Sequence, residues 1–312
     1  MIVRDVYELI GDTPLIELRT LPIPANVKVY GKLEMMNPGG SVKDRLGMNL
    51  IERAIERGDV APGGTVIEPT AGNTGIGLAL ACQRFGIRLM TVTPEKFSQE
   101  KQALMRLLGA TVVNTPTELG MKGAIAHAIE LAKEHDAYVP EQFSNPDNPD
   151  AYVDILSHEL LKDVPQIDVF VAGAGSGGTF TGVAKSLKPL GTKTVVVEPV
   201  GSIMNGGEPG PHKTEGIGVE KWPPFLERAY VDAIHTITDE EAFYYVAHLA
   251  KQEGLLIGSS SGAAIAACVK EANQLTEGTI VTILPDSAER YLSQGIVKEA
   301  EHAYKDSTHS RR

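Results

Sequence analysis

The 312-residue chain is short of cysteine, of aromatic side chains and of positive charge, and each shortage narrows what it can be. Its two cysteines, Cys82 in "LALACQRFG" and Cys268 in "AAIAACVKEA", sit in apolar helical settings. They read as buried free thiols in a reducing, cytoplasmic compartment. The formal charge of −11 argues against a binder of nucleic acid or anionic membrane, either of which wants basic clusters. No apolar run reaches membrane-spanning length, and the opening "MIVRDVYELIG" lacks the layout of a signal peptide. Eight histidines are scattered without HExxH or paired-ligand spacing, so no metal site is expected. Aromatic residues make up only 5%.

Glycine, by contrast, is plentiful at 32 residues, which suits many tight strand-to-helix turns. Short β-branched runs ("VYGKLE", "TVIEPT", "LMTVTP", "TVVNT", "DVFVAGAG", "TVVVEP", "TIVTILPD") alternate with amphipathic stretches such as "GIGLALACQRFG", "SQEKQALMRLLG", "MKGAIAHAIELAKEH" and "DEEAFYYVAHLAKQEG". Continuous apolar strands separated by helices predict an α/β protein with parallel sheet covered on both faces. The length allows one large domain or two ordinary ones. The Pro/Asn-rich "VPEQFSNPDNPD" (Val139 to Asp150) reads as an inter-domain connection, and Met204 to Pro224 as a long polar loop. The end, "STHSRR", is expected to fray.

"NPGGSVKDRLGMNL" opens a helix expected over Ser41 to Arg57, with the serine suited to cap it. At about 100° per residue, Leu46, Leu50, Ile51, Ala54 and Ile55 form an apolar arc and Arg45, Asn49, Glu52, Arg53 and Glu56 the opposite side. Lys43 falls in the middle of the apolar arc. A first-turn lysine ordinarily snorkels to water; one kept in a cleft becomes a nucleophile or Schiff-base former. Position alone does not decide between them.

Three glycine-bearing turns offer partners. In "DVFVAGAGSGGTFTGVAKSL", Gly173, Gly175 and Gly178 satisfy G-x-G-x-x-G, and Glu198 follows about twenty residues on, which is the full dinucleotide fingerprint. An NAD(P)-dependent oxidoreductase is therefore a competing reading. The turn's physics says phosphate without saying whose. In "TVIEPTAGNTGIGLALA" the turn offers Thr70, Gly72, Asn73, Thr74 and Gly75, an array of hydroxyls, amide and helix-terminal N–H groups suited to a carboxylate and a phenolic oxygen. In "GLLIGSSSGAAIAACV", Ser259, Ser260 and Ser261 crowd a helix start, and capping occupies only one of them.

Together with "IGDTPL", "QFSNPDNP", "TEGIG" and "LPDSAERYLS", these segments resemble, in order and over nearly the whole chain, the fold type II pyridoxal-phosphate enzymes of the cysteine synthase and cystathionine β-synthase family. Within it they look most like bacterial O-acetylserine-dependent enzymes. The resemblance implies two domains of the tryptophan synthase β type, each a mostly parallel twisted sheet flanked by helices. Residues 1–40 plus 146–312 would form the larger, cofactor-phosphate-binding domain, and 41–145 a smaller mobile domain carrying the Asn73 loop.

It also implies pyridoxal 5′-phosphate joined to Lys43, the catalytic base. Gly175, Ser176, Gly177, Gly178 and Thr179 would hold the phosphate, Asn73 the ring 3′-oxygen, and Ser260 would face the ring nitrogen. Thr70, Ala71, Gly72, Thr74 and Gln142 would grip the substrate carboxylate, with Gly216 in close approach. Many relatives carry serine where this chain has Ala71, so one substrate-loop hydroxyl is missing. The implied reaction is β-replacement on O-acetyl-L-serine through an aminoacrylate, with homocysteine giving cystathionine and sulfide giving cysteine. A serine-dependent lyase activity is the variant reading. A homodimer, and a serine acetyltransferase tail as a further partner, belong to the same expectation.

Overall fold

The computed structural model describes residues 2–309. The chain divides into two compact units: Met1–Gly11 with Asn37–Ala151, and Asp12–Met36 with Tyr152–Arg312. The opening eleven residues therefore cluster with the smaller unit, not with the larger domain as the sequence suggests. The Pro/Asn-rich segment 139–150, expected as a connection, lies inside the smaller unit.

In the smaller unit, β3 (Thr65–Pro69), β4 (Arg88–Pro94) and β5 (Thr111–Thr115) form a parallel sheet in sequence order. Its helices are α1 (Lys43–Arg57), α2 (Asn73–Arg84), α3 (Gln99–Leu107) and α4 (Gly120–Glu134). Ile67 and Val92 of the sheet and Ala124 and Ala128 of α4 are fully buried together; the alanines let the helix lie close on the strands. α1 packs on α2, which packs on β4. The apolar arc read for α1 is buried at Leu46, Leu50, Ile51 and Ala54. Arg45, assigned to the polar side, is buried as well, at 4% exposure. α5 (Asp147–Val153) carries the chain out of this unit.

The larger unit is built on a six-stranded sheet in the order β1-β2-β9-β6-β7-β8. These are β1 (Leu15–Glu17), β2 (Val27–Leu33), β6 (Val169–Gly173), β7 (Lys193–Pro199), β8 (Ala233–Ile237) and β9 (Gly278–Leu284). All neighbours are parallel except β1 with β2. Val169, Phe170 and Val171 are buried in succession, as are Val195, Val196 and Val197, so both strand faces are covered. The helices are α6 (Leu156–Asp163), α7 (Gly178–Leu187), α8 (Asp239–Glu253), α9 (Ser259–Ala272) and α10 (Ile296–His309). α9, buried over nearly its whole length, lies on β6, β7 and β9, with α8 against α9 and α10 against α8. α8 starts at a full capping box between Thr238 and Glu241.

Two strands, β1 and β8, escape the sequence reading. Both are edge strands whose residues are mostly half-buried, so neither shows a continuous apolar run. The tail expected to fray is helical through His309, with Ile296, Ala300 and Ala303 buried; Ser310, Arg311 and Arg312 lie outside the described residues. Among the described residues no helix is long and apolar enough to cross a membrane, and no cluster of three or more His, Cys, Asp or Glu side chains is placed to hold a metal ion.

Candidate active site

Each unit carries its own set of the residues singled out from sequence. In the smaller unit, the "NPGG" turn is fixed from both ends. The Gly11 N–H donates to Asn37 Oδ1 at 2.8 Å, the Gly40 N–H to the Asn37 carbonyl at 2.7 Å, and the Gly39 N–H to the buried Asp44 carboxylate. α1 begins at Lys43, which is half-buried; its N–H donates to Ser41 Oγ at 3.2 Å. The serine read as a cap thus acts from two residues away, behind Val42.

α2 begins at Asn73, directly after Gly72, and no side chain caps it. A Cβ added at Gly72 would meet nothing within 4 Å, so the helix N-terminus opens on free space. Thr70 Oγ1 accepts the Gly72 N–H at 3.3 Å and shapes the turn. Thr74 Oγ1 donates to Gln142 Oε1 at 2.7 Å, which directs the Gln142 NH2 away from Thr74. Thr70, Ala71, Gly72, Asn73, Thr74 and Gln142 are therefore gathered in one place, though Gln142 is 68 residues from Thr74 in sequence. Lys43 is tied to the same assembly through the backbone: a Cβ on Gly77, one turn after Asn73, would stand 2.7 Å from the Lys43 carbonyl carbon.

Sequence reasoning missed Glu68. This β3 carboxylate is 1% exposed and accepts the N–H groups of Glu141 (2.9 Å) and Gln142 (3.2 Å). Burial pushes its pKa up to about 7, the two N–H groups opposing that rise. The contact exists because Tyr138 pairs with β3, Ile67 N–H to Tyr138 O at 2.9 Å and Tyr138 N–H to Thr65 O at 3.0 Å. Nothing in local sequence pattern signals it.

In the larger unit, Gly177 precedes α7 with φ +86, a conformation that favours glycine; a Cβ there would also lie 2.5 Å from the Leu226 nitrogen. α7, like α2, has no side-chain cap. Gly175, Ser176, Gly178 and Thr179 complete a turn whose backbone N–H groups suit an anion, and Ser176 Oγ lies 3.4 Å from the Gly178 nitrogen. Gly175 packs on Gly216 so closely that a Cβ would be 2.8 Å from the Gly216 carbonyl oxygen. Gly216 itself has φ +82 and open space where its Cβ would be. The "TEGIG" loop is in turn pinned to the start of α9, the Glu215 N–H donating to Ser259 Oγ at 3.1 Å.

Capping is therefore not what the three serines do: Gly258 is the N-cap, and Ser259 holds the loop. The Gly258 N–H donates to the Asp286 carbonyl at 3.0 Å, and the Tyr291 hydroxyl to Asp286 Oδ2 at 2.5 Å, which gives "LPDSAERYLS" the task of fixing this helix start. Ser260, 7% exposed, has a hydroxyl without a hydrogen bond among the described residues, and the Ser261 hydroxyl is fully buried without a partner. An uncapped glycine turn, an open Gly216 and an uncommitted serine hydroxyl in one unit fit a phosphate and a ring nitrogen.

The dinucleotide reading fails on Glu198. Its carboxylate, fully buried, accepts the N–H groups of Met204 (2.8 Å) and Asn205 (3.0 Å) and the Thr236 hydroxyl (3.0 Å). It anchors the start of the 204–224 loop and, fully buried, presents no oxygen to a ribose.

Comparison with known proteins agrees. The family model described as pyridoxal-phosphate dependent enzyme matches residues 6–286. A Bacillus subtilis protein named O-acetylserine dependent cystathionine beta-synthase is 53% identical over 300 residues, 95% of this chain and 98% of that protein. A Helicobacter pylori cysteine synthase is 52% identical over 303 residues, covering 95% and 99%. The crystal structure of O-acetylserine dependent cystathionine beta-synthase from Helicobacter pylori superposes with a TM-score of 0.90 at 52% identity, covering 95% of this chain and 99% of that one. An uncapped anion turn beside free serine hydroxyls, a lysine leading α1 and this degree of identity lead to one conclusion: the chain belongs to the pyridoxal-phosphate-dependent enzymes of the cysteine synthase and cystathionine β-synthase family.

Proposed function

We propose that this chain catalyses β-replacement on O-acetyl-L-serine, exchanging acetate for a sulfur nucleophile, with homocysteine giving cystathionine and sulfide giving cysteine. The observation that carries the reading is the start of α2. An open, uncapped helix N-terminus is flanked by Thr70, Thr74 and Gln142, an array that takes an α-carboxylate.

Pyridoxal phosphate, when bound, supplies an aldehyde for amine capture and a conjugated ring that delocalises charge arising at the substrate α-carbon. Lys43 would carry the cofactor and serve as general base, its Nζ accepting the substrate α-proton and returning it. Backbone N–H groups of Gly175, Gly177 and Gly178, with Ser176 and Thr179, hold the phosphate. Asn73 would donate to the ring 3′-oxygen. Ser260 would face the ring nitrogen as a neutral partner, which stabilises charge on the ring less than a carboxylate partner would. Thr70, Ala71, Gly72, Thr74 and Gln142 would bind the substrate carboxylate, Ala71 through its backbone alone, and the open side of Gly216 would allow close approach of the ligand.

A cytoplasmic homodimer is part of this reading; two buried, unpaired thiols support the reducing setting. The C-terminal carboxylate of a serine acetyltransferase tail is a further ligand that the α2 array suits. Steady-state rates with O-acetylserine and with serine, each with sulfide and with homocysteine, test the proposal. O-acetylserine is expected to support turnover with at least one sulfur nucleophile; no β-replacement with any pairing overturns it.

A further inference from the structure

Gln142 stands in a segment that nothing regular holds. Glu141 has φ +54, a left-handed conformation that a non-glycine residue adopts at a cost of about 1 kcal/mol or more. The carbonyl side of this turn is tied by the N–H groups of Ser144 and Asn145 on Glu141 O, both at 2.9 Å, and by Asn148 Nδ2 on Gln142 O at 2.6 Å. The N–H side is tied by Glu68, whose two carboxylate oxygens take the Glu141 and Gln142 N–H groups separately. A carboxylate is the side chain that suits two adjacent donors, since both its oxygens accept and neither donates.

We infer that Glu68 is a positioning residue for substrate: by clamping the Glu141 and Gln142 N–H groups it holds the Gln142 amide against Thr74, with its NH2 free for an amino-acid carboxylate. The inference rests on the proposed role of Gln142. Glu68 touches neither substrate nor cofactor in this scheme; it acts through the turn. With the charge on Glu68 lost, one oxygen becomes a hydroxyl and the turn keeps a single good acceptor. Burial places that change at about pH 7, and Glu141, the charged side chain acting on Glu68, shifts it in the same upward direction. The clamp therefore tightens as pH rises through 7 and loosens as pH falls.

The test uses the holoenzyme with Glu68→Gln, Gln142→Ala and the double variant. Glu68→Gln is expected to raise KM for O-acetyl-L-serine about tenfold, the scale of a lost charge-assisted hydrogen bond, with kcat within about threefold. Gln142→Ala should do the same, and the double variant should be no worse than the poorer single. In hydrogen exchange, the Glu141 and Gln142 amides should lose protection in Glu68→Gln. In the unmutated enzyme they should lose it below pH 7, once the intrinsic pH dependence is removed. A raised KM in Gln142→Ala beside an unchanged KM in Glu68→Gln overturns the positioning role alone. An unchanged KM in Gln142→Ala overturns the role given to Gln142 and the inference with it. Should Glu68→Gln fail to fold, Glu68→Asp, which keeps the carboxylate on a shorter stem, decides: an unchanged KM for O-acetyl-L-serine together with undiminished protection of the Glu141 and Gln142 amides overturns the clamp.

Discussion

Gly77 lies directly on the backbone of Lys43. A Cβ at position 77 would stand 2.7 Å from the Lys43 carbonyl carbon and 3.2 Å from the Asp44 nitrogen, so α1 and α2 touch main chain to main chain. The same contact is reinforced from the other side, where a Cβ on Gly47 would lie 2.6 Å from the Leu78 nitrogen. This pairing sets the start of one helix, Lys43, against a helix whose own first residue is Asn73.

Gly77→Ala should therefore damage geometry more than it damages folding. Overpacking of this kind costs about 1–3 kcal/mol of stability. Displacement of Lys43 relative to Asn73 should lower kcat at least about tenfold, since an ångström of misplacement costs about a hundredfold. Thermal denaturation and steady-state kinetics measure the two effects; unchanged values of both would mean that the helices part freely.

Ser260 gives a second prediction. Its hydroxyl is buried and uncommitted in the first turn of α9. Ser260→Asp places an anion where the account puts the ring nitrogen, strengthening the ring as an electron sink. β-Replacement should slow and side products, including pyruvate and amine transfer, should rise relative to cysteine or cystathionine. A product ratio equal to that of the unmutated enzyme would place the ring nitrogen elsewhere.

The two thiols should be inert in the native protein. Cys82 and Cys268 are 1% and 0% exposed; burial pushes the Cys82 pKa up to about 12 and raises that of Cys268 further. At pH 8 neither should react with iodoacetamide until the chain is unfolded, as mass spectrometry would record. Rapid alkylation of either without unfolding would contradict the packing of α2 or α9.

Periodicity carried α4 and α8, whose buried residues recur at helical spacing, while α2, read as amphipathic, is buried on every side from Thr74 to Cys82, and α1 buries Asp44 and Arg45 beside its apolar arc. The glycine turns were legible for a related reason: Gly177 needs its left-handed backbone, and few sequences bring such residues together by chance. What stayed hidden depends on distant pairing. Glu68 meets Gln142 only because Tyr138 aligns with β3, and a Pro/Asn-rich composition made that ordered segment look like a linker. Glu198 shows the converse hazard. It stands at the fingerprint spacing, yet its carboxylate is buried against Met204, Asn205 and Thr236, because spacing fixes where a residue falls and not what it meets. The edge strands β1 and β8 lack the two-sided burial that makes central strands readable.

The central claim is that Lys43 carries the cofactor. The most direct measurement is borohydride reduction of the holoenzyme followed by peptide mass spectrometry. A pyridoxyl phosphate adduct is expected on the peptide containing Lys43, with Lys43→Ala losing both the adduct and turnover. A stable adduct on a different lysine, or normal turnover in Lys43→Ala, would contradict it.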